Sequence, residues 1–241
     1  MHSPDSTHRF SDRVENYVHY RPTYPEDVLE VLRQGTGLRL EDAIADIGSG
    51  TGISAEQFLR NGNQVFGVEP NLEMRQAAES QLHQYAKFHS IVGTAEATTL
   101  PNHSVDYVVA AQAFHWFDQA KAKQEFVRIL RPRGWAVLIW NFRRTDSTAF
   151  LRGYEALLQQ YGTDYKEIRH NNIKPRDLEA FFGGSVEGRS SYNEQLFDFD
   201  GLKGRLLSSS YTPNPAHPNF QPMIQALKRI FEQYQEGNKV R

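Results

Sequence analysis

The sequence predicts a doubly wound, Rossmann-like α/β fold, in which helices cover both faces of a mostly parallel sheet. Two observations predict it. Between residues 37 and 144, short apolar runs rich in β-favouring residues alternate with segments of helical periodicity. The first apolar run also leads directly into a glycine-rich turn that opens the next helical segment, which is typical of the first βα unit in such folds.

The strands and helices of this core follow one another closely. Strands are predicted at residues 43–47, 64–68, 88–92, 105–111 and 135–140, and helices at residues 53–60, 72–85 and 120–130. Leu72, Ala78 and Leu82 are expected on the inner face of the second helix, and residues 131–134 are expected to form the turn into the fifth strand. Strands that helices connect run parallel and are covered on both faces, which fits their uniformly apolar character.

The whole chain, residues 1–241, is expected to form a single domain around this core. Residues 1–36 are predicted to be an N-terminal helical lid, and residues 37–144 the core that carries the candidate cofactor site. A helical insertion after the fifth strand is predicted at 145–184, with helices at 148–161 and 176–182, lying over the carboxyl edge of the sheet. Residues 185–241 are expected to hold a sixth strand at 195–200 and an amphipathic helix at 219–235.

Composition excludes several classes of function. The chain has 27 Lys and Arg against 29 Asp and Glu, so it has no general basic field for nucleic acid or anionic lipid. It contains no Cys, which removes disulfides, cysteine zinc sites and thiolate nucleophiles. The histidines show no metal-ligand spacing, and no metal site is expected. With no apolar run long enough for a membrane span or a signal peptide, a cytoplasmic protein is expected.

The segment DIGSGTG, residues 46–52, follows the first strand. Its glycines allow a sharp turn that brings the amides of a helix N-terminus to a ligand. Glu69 ends the next strand, where a carboxylate accepts hydrogen bonds from the two hydroxyls of a ribose. The third glycine comes one residue earlier than in the dinucleotide pattern G-x-G-x-x-G, and Asp46 places a carboxylate where a pyrophosphate would lie. These residues favour S-adenosyl-L-methionine, which has a ribose, an amine and a sulfonium but no phosphate, over NAD.

Four segments together resemble a known family. These segments are DIGSGTG, VFGVEPNLEM (65–74), VGTAEATTLP (92–101) and VDYVVAAQAFHWFD (105–118). They resemble the class I S-adenosylmethionine-dependent methyltransferases, within them the small-molecule branch that includes trans-aconitate and ubiquinone/menaquinone methyltransferase-like proteins. The resemblance covers residues 10–144 and is specific for the cofactor rather than for the acceptor.

The resemblance implies cofactor contacts at Asp46, Gly48, Gly50, Glu69, Pro70, Asn71, Met74, Ala95, Glu96, Gln112, Tyr20 and Arg21. The stretch 17–22 resembles the family's N-terminal lid. The family's fold usually ends with a strand after its last helix, and the resemblance leaves that strand unassigned here. Simpler interpretations stay open: the glycine segment as a structural turn, Glu69 as a solvated strand-end carboxylate, Glu96 as a helix-start acid, and Tyr20 as a core aromatic.

The segment just past the fourth strand contains the first candidates for contacting substrate. His115 is the first candidate for a general base, because its pKa normally lies near neutral pH, and His19 is the second. Trp116 is a candidate for contacting the sulfonium through its ring face, and Tyr17 for contacting the substrate. Simpler interpretations stay open here too. A packing or hydrogen-bonding role in the pocket wall is favoured for His115, packing under the cap is open for Trp116, and a core position in an N-terminal helix is open for Tyr17.

The predicted function is in-line transfer of a methyl group to a small-molecule acceptor, by a monomer or homodimer that binds neither nucleic acid nor membrane. Two alternatives stay open. A nicotinamide-dependent oxidoreductase would share the fold, although Asp46 and the early third glycine count against it. A non-catalytic S-adenosylmethionine-binding module would share the cofactor motifs without turnover.

Overall fold

The computed structural model describes residues 13–168, 173–184 and 186–241, and the chain divides into two compact units. The first, called the sheet unit below, contains Thr23–Asn141 and Ile173–Asn193. The second, the helical unit, contains the described residues within Asp12–Pro22, Phe142–Asn172 and Glu194–Arg241. No helix in these described residues is long and apolar enough to cross a membrane.

The sheet unit is built on five parallel strands in the order β3-β2-β1-β4-β5. They are β1 Ala43–Ile47, β2 Gln64–Val68, β3 Phe88–Ile91, β4 Val105–Ala111 and β5 Leu130–Ile139. The strand order reverses between β1 and β4, so the carboxyl ends of these two strands form the switch point where doubly wound sheets bind ligands. The predicted fold class is confirmed.

The described residues contain ten α-helices and one short 3₁₀ helix, Phe114–Trp116. The α-helices are α1 Val14–Tyr20, α2 Asp27–Thr36, α3 Ile53–Asn61, α4 Leu72–Leu82, α5 Gln119–Ile129, α6 Ala149–Tyr161, α7 Tyr165–Ile168, α8 Pro175–Phe182, α9 Phe199–Leu207 and α10 Phe220–Tyr234. The sheet unit contains α2 to α5 and α8, and the helical unit contains α1, α6, α7, α9 and α10.

Two apolar layers, one on each face of the sheet, form the core of the sheet unit. One layer includes Phe58 of α3 and Leu82 of α4, and the other includes Phe114 and Ile129. All five residues of β1 are buried, because this central strand is covered on both faces. Fully burying one such apolar side chain contributes about 1.5–3 kcal/mol, and this burial holds the carboxyl ends of β1 and β4 in place.

Three predicted details of the sheet unit are wrong. The fifth strand begins at Leu130 rather than at 135. Residues 131–134, which were predicted to form a turn, instead form a bulge where β5 pairs with β4. The second helix ends at Leu82, so residues 83–85 lie outside it. Leu72 is 52 % exposed, and Met74 instead joins Ala78 and Leu82 on the buried face of α4.

The helical unit has its own core, formed where α6, α9 and α10 meet. Leu158, Leu206, Met223 and Leu227 are completely buried there. The predicted C-terminal amphipathic helix is confirmed as α10. The predicted insertion at 145–184 is shared between the units, since α6 and α7 belong to the helical unit and α8 to the sheet unit.

The sixth strand predicted at 195–200 is wrong. Phe197 forms an isolated antiparallel bridge with Val240, and α9 begins at Phe199. The Asp198 side chain caps this helix by accepting a 2.8 Å hydrogen bond from the amide of Gly201. The alternation of apolar and polar residues resembled a strand, but the capping side chain of Asp198 starts a helix within it.

Candidate active site

The glycine segment lies at the carboxyl end of β1 and leads into α3. Gly48, Gly50 and Gly52 all have positive φ angles, of 68°, 55° and 88°. A Cβ atom at Gly48 would lie 2.6 Å from the Cβ of Ala113, and one at Gly52 would lie 2.6 Å from Cδ1 of Leu82. At Gly50 a Cβ would meet nothing within 4 Å. Gly48 and Gly52 thus permit close packing, whereas Gly50 adjoins open space that a ligand can fill.

The amides of this segment are engaged within the protein. Those of Gly48 and Ser49 donate to the carbonyl oxygen of Val68, at 2.8 and 3.2 Å, and that of Gly50 donates to Oε2 of Glu69 at 2.9 Å. These three residues precede α3, which begins at Ile53, so the expectation that the amides of the helix N-terminus reach a ligand stays a prediction. A pyrophosphate is bound through free backbone amides of a glycine-rich turn. Here the amide of Gly50 already donates its hydrogen bond to the carboxylate of Glu69.

Glu69 lies directly after β2, beside the glycine segment. It is 8 % exposed, and burial raises the pKa of its carboxyl group, opposed by hydrogen bonds from the amides of Asn71 and Gly50 and by the charge of Arg75. Each carboxylate oxygen accepts one of these two amide protons and keeps a second lone pair. Glu69 is therefore oriented by the backbone and retains acceptor capacity for ligand hydroxyls.

Asp46, in β1, is the second buried carboxylate of the site. Burial raises its pKa to about 7, the charge of Glu69 adds to that rise, and the hydroxyl of Ser54 opposes it by donating a 2.6 Å hydrogen bond to Oδ2. The other oxygen, Oδ1, is buried and has no hydrogen-bond partner within the described residues. Buried acceptors in proteins are normally hydrogen-bonded, so this oxygen indicates a place for a donor group of a ligand.

Several predicted cofactor residues have a clear structural task. The Asn71 side chain caps α4 by accepting a 2.8 Å hydrogen bond from the amide of Met74. Met74 and Ala95 are buried in the packing of the sheet unit, and Pro70 is half-buried. These residues fix the chain around Glu69, and direct contact with a cofactor stays a prediction for each of them.

Gln112 and Glu96 connect loops at the same edge of the sheet. Gln112 has a positive φ of 58°, its amide donates to the carbonyl oxygen of Ile139, and its Nε2 donates to that of Asn141 at 3.1 Å. Glu96, after β3, accepts a 2.8 Å hydrogen bond from the amide of Asp118. Their predicted cofactor contacts are untested, and both side chains orient the segment that follows β4.

His115 and Trp116 lie on the 3₁₀ helix that follows β4. Both are half-buried, and their ring centroids are 4.8 Å apart. Phe114 anchors this helix by packing edge-to-face on Phe181 of α8, with 4.7 Å between ring centroids. Since β4 is paired with β1, the structure brings these rings to the same sheet edge as the glycine segment.

The remaining predicted residues belong to the helical unit. Tyr20 packs against Gly204 of α9, where a Cβ atom would overlap the tyrosine ring. The guanidinium of Arg21 lies 4.7 Å from the centroid of the Tyr17 ring. His19 is exposed, with Nδ1 2.8 Å from the carbonyl oxygen of Glu15. Their roles toward cofactor or substrate stay predictions.

Sequence reasoning missed Ser54 and Thr51. Ser54 is buried and bonds Asp46, and Thr51 is buried with its hydroxyl lacking a hydrogen-bond partner among the residues described. A serine in the first turn of the helix after a glycine segment was the available signal for Ser54. The orphaned oxygens of Asp46 and Thr51, the open space at Gly50 and the acceptor capacity of Glu69 fit a ligand that carries an amine and hydroxyls.

Comparisons with known proteins agree with this geometry. Residues 45–138 match a family model described as a methyltransferase domain. An uncharacterized methyltransferase of Mycobacterium tuberculosis is 36% identical over 139 residues, 58% of this chain and 54% of the relative. An uncharacterized methyltransferase of Bacillus cereus is 31% identical over 162 residues, 63% of this chain and 70% of the relative. The chain thus spans about half the length of the mycobacterial relative.

A solved structure extends the likeness to most of the chain. It is a putative methyltransferase from an antibiotic biosynthesis pathway of Anabaena variabilis, with a TM-score of 0.63 and 20% sequence identity. The match covers 90% of this chain and 87% of that one. At this level of identity the likeness shows a shared fold.

Proposed function

Because this chain belongs to the methyltransferase-domain family, we propose that it is an S-adenosylmethionine-dependent methyltransferase that acts on a small-molecule acceptor. The pair of buried carboxylates, Asp46 and Glu69, at the carboxyl ends of β1 and β2 carries this proposal. Two adjacent acidic side chains repel the pyrophosphate of a dinucleotide. They suit a nucleoside that carries an amine, a positively charged sulfur and no phosphate.

Three predicted cofactor residues of the sheet unit have a direct role in this proposal. Glu69 would accept hydrogen bonds from the ribose hydroxyls, and Oδ1 of Asp46 would accept one from the amine. Gly50 leaves room for the ligand to approach the backbone. S-adenosylmethionine supplies a methyl group that its positively charged sulfur has already activated.

The acceptor side of the reaction is proposed at the 3₁₀ helix after β4. His115 would take the proton of a hydroxyl or acidic carbon as it attacks, whereas a carboxylate acceptor would need no base. Trp116 would offer its ring face to the positive charge. Orienting two reactants can supply up to about 7–11 kcal/mol in well-aligned models, so positioning by these rigidly packed loops is the main contribution expected of the protein.

The test is isothermal titration calorimetry of the free protein with S-adenosylmethionine, S-adenosylhomocysteine and NAD. We expect the two adenosyl ligands to bind and NAD to show no binding. Glu69→Ala is expected to weaken adenosyl binding by about tenfold or more, since a buried acceptor for two hydroxyls is lost. The matched control is Glu179→Ala on α8, an exposed carboxylate, which should leave affinity unchanged. Absence of binding by both adenosyl ligands would overturn the proposal.

A further inference from the structure

The helical unit contains a cluster of arginine and tyrosine side chains drawn from separate segments. Arg21 follows α1, Arg143 precedes α6, Tyr154 lies on α6, Arg205 on α9, and Tyr211 after α9. The charges of Arg21 and Arg143 and the hydroxyls of the two tyrosines all act on Arg205. Segments that are distant along the chain thus converge on one guanidinium.

Positive charge exceeds negative charge in this cluster. Arg143 is paired with the carboxylate of Glu155. Among the described residues, neither Arg21 nor Arg205 forms an ion pair with any carboxylate. Arg205 Nη1 reaches only serine hydroxyls, Ser208 Oγ at 3.4 Å and Ser209 Oγ at 3.2 Å.

Some hydrogen-bond donors of this cluster also have no acceptor among the described residues. Arg21 Nη2 donates to the carbonyl oxygen of Ser208 at 2.8 Å, but its Nε is buried and has no hydrogen-bond partner among the described residues. The hydroxyl of Tyr154, a residue only 5% exposed, forms no hydrogen bond within that same part of the chain. Since a guanidinium has five N–H donors, the cluster has unused donor capacity on both arginines and on the tyrosine.

Burial makes this arrangement costly for the protein alone. Burial lowers the pKa of Arg205, and the nearby charge of Arg21 lowers it further. Burial likewise raises the pKa of Tyr154 to about 12, which keeps its hydroxyl protonated as a donor at neutral pH. Arg21 and Arg205 are half-buried, and positive charge with unused donors in such a place is stabilised by an anion that accepts their hydrogen bonds.

We propose that the helical unit binds the oxyanion group of a small molecule, a carboxylate or a phosphate, through Arg205, Arg21 and the hydroxyl of Tyr154. The planar fork of a guanidinium matches two oxygens of either group in parallel hydrogen bonds. The tyrosine rings of the cluster provide an apolar wall for the rest of the ligand. This site does not depend on the transfer reaction proposed above and is testable without it.

The test measures binding of succinate, benzoate and inorganic phosphate to the full chain by calorimetry at constant ionic strength. Succinamide and benzamide serve as neutral analogues of matched shape. We expect at least one anion to bind about tenfold or more tightly than its neutral analogue or than chloride. Binding by carboxylates alone, or by phosphate alone, supports the site and identifies its ligand class. Equal binding of anions and neutral analogues would overturn it.

Variants connect the binding to this cluster. Arg205→Gln and Arg21→Gln are each expected to weaken anion binding by about tenfold or more, and Tyr154→Phe by a smaller factor. Arg229→Gln on α10 is the control, because that arginine is exposed. Circular dichroism verifies folding, and Arg205→Lys is expected to restore part of the affinity if the glutamine variant is unstable. Wild-type affinity in both glutamine variants would overturn the proposal.

A competition experiment separates this site from the cofactor site. S-adenosylhomocysteine carries a carboxylate of its own, and Arg21 is one of the predicted cofactor contacts. We expect the anion to bind equally well with and without saturating S-adenosylhomocysteine. Competition between them would show that the cluster holds the cofactor's carboxylate and would overturn a separate site.

Discussion

Asp46 has a different proton affinity in the folded and unfolded protein. An unfolded aspartate ionises near pH 3.9, whereas burial raises the folded pKa to about 7. The folded state therefore binds this proton more tightly than the unfolded state. Its contribution to stability is complete below about pH 4 and is lost progressively as the pH rises to about 7. A carboxylate retained at such a cost is typical of a binding site, where function and stability compete.

Asp46→Asn is expected to stabilise the free protein at high pH, because the amide cannot ionise. The gain over wild type should grow by about 4 kcal/mol between pH 4 and pH 8, as measured by urea unfolding. Adenosyl ligands should bind this variant more weakly. The control is Asp146→Asn, an exposed position where no such pH dependence is expected. A gain that is equal at both pH values would contradict a proton held by buried Asp46.

Part of the candidate site was predictable from residue types and their order in the sequence. Glu69 and the glycine segment were recognisable because strand, turn and helix follow each other in the sequence. The orphaned oxygen of Asp46 depends on burial by distant elements, and the contact of Gly48 with Ala113 depends on pairing of β1 with β4. Such relations have no local sequence signal.

At the scale of elements, α5 is fastened to the loop after β3 through Glu125. Its Oε1 accepts hydrogen bonds from the amide and hydroxyl of Thr98, at 2.7 and 2.6 Å, and Arg128 pairs with the same carboxylate at 2.7 Å. The hydrogen bond from Arg128 contributes most to lowering the pKa of Glu125 to about 2, and those from Thr98 add to it. The loop that carries Glu96 is thereby attached to a helix of the sheet unit.

Glu125→Gln is expected to destabilise the protein at neutral pH by about 2 kcal/mol. Because the folded pKa is depressed, the carboxylate's stabilisation is present above about pH 4.5 and disappears as the pH falls toward 2. The difference between variant and wild type in urea unfolding should therefore shrink over that range. Glu232→Gln, an exposed position on α10, is the matched control. A pH-independent difference would point to packing rather than charge.

Some elements were predictable to the residue and others were not. Strands β1, β2 and β4 are short apolar runs between clear turn signals, and their bounds match. The start of β5 was missed because Pro132 and Gly134 usually mark a turn, whereas here pairing with β4 continues through a bulge. The region before α9 alternates as a strand does, but the side chain of Asp198 favours a helix start.

At the scale of the whole molecule, each unit has a hydrophobic core of its own. Leu227→Ala is expected to remove about 2–5 kcal/mol from the stability of the helical unit, because that side chain is fully buried among α6, α9 and α10. Hydrogen exchange should accelerate in these three helices and stay unchanged in β1 and β4. Gln225→Ala, at an exposed position on the same helix, is the control. Equal acceleration in β1 and β4 would show that the chain unfolds as one unit.

The helical unit is assembled from three stretches of chain that the sheet unit separates. Tyr20 of α1 packs on Gly204 of α9, so the first helix of this unit meets its partner only after the entire sheet has been synthesised. Met223 and Leu227, which fill the same core, come later still. During translation, the parallel sheet is therefore expected to form before α1 can pack against α9. The order of synthesis therefore predicts that this short helix stays exposed in the nascent chain until α9 has been synthesised.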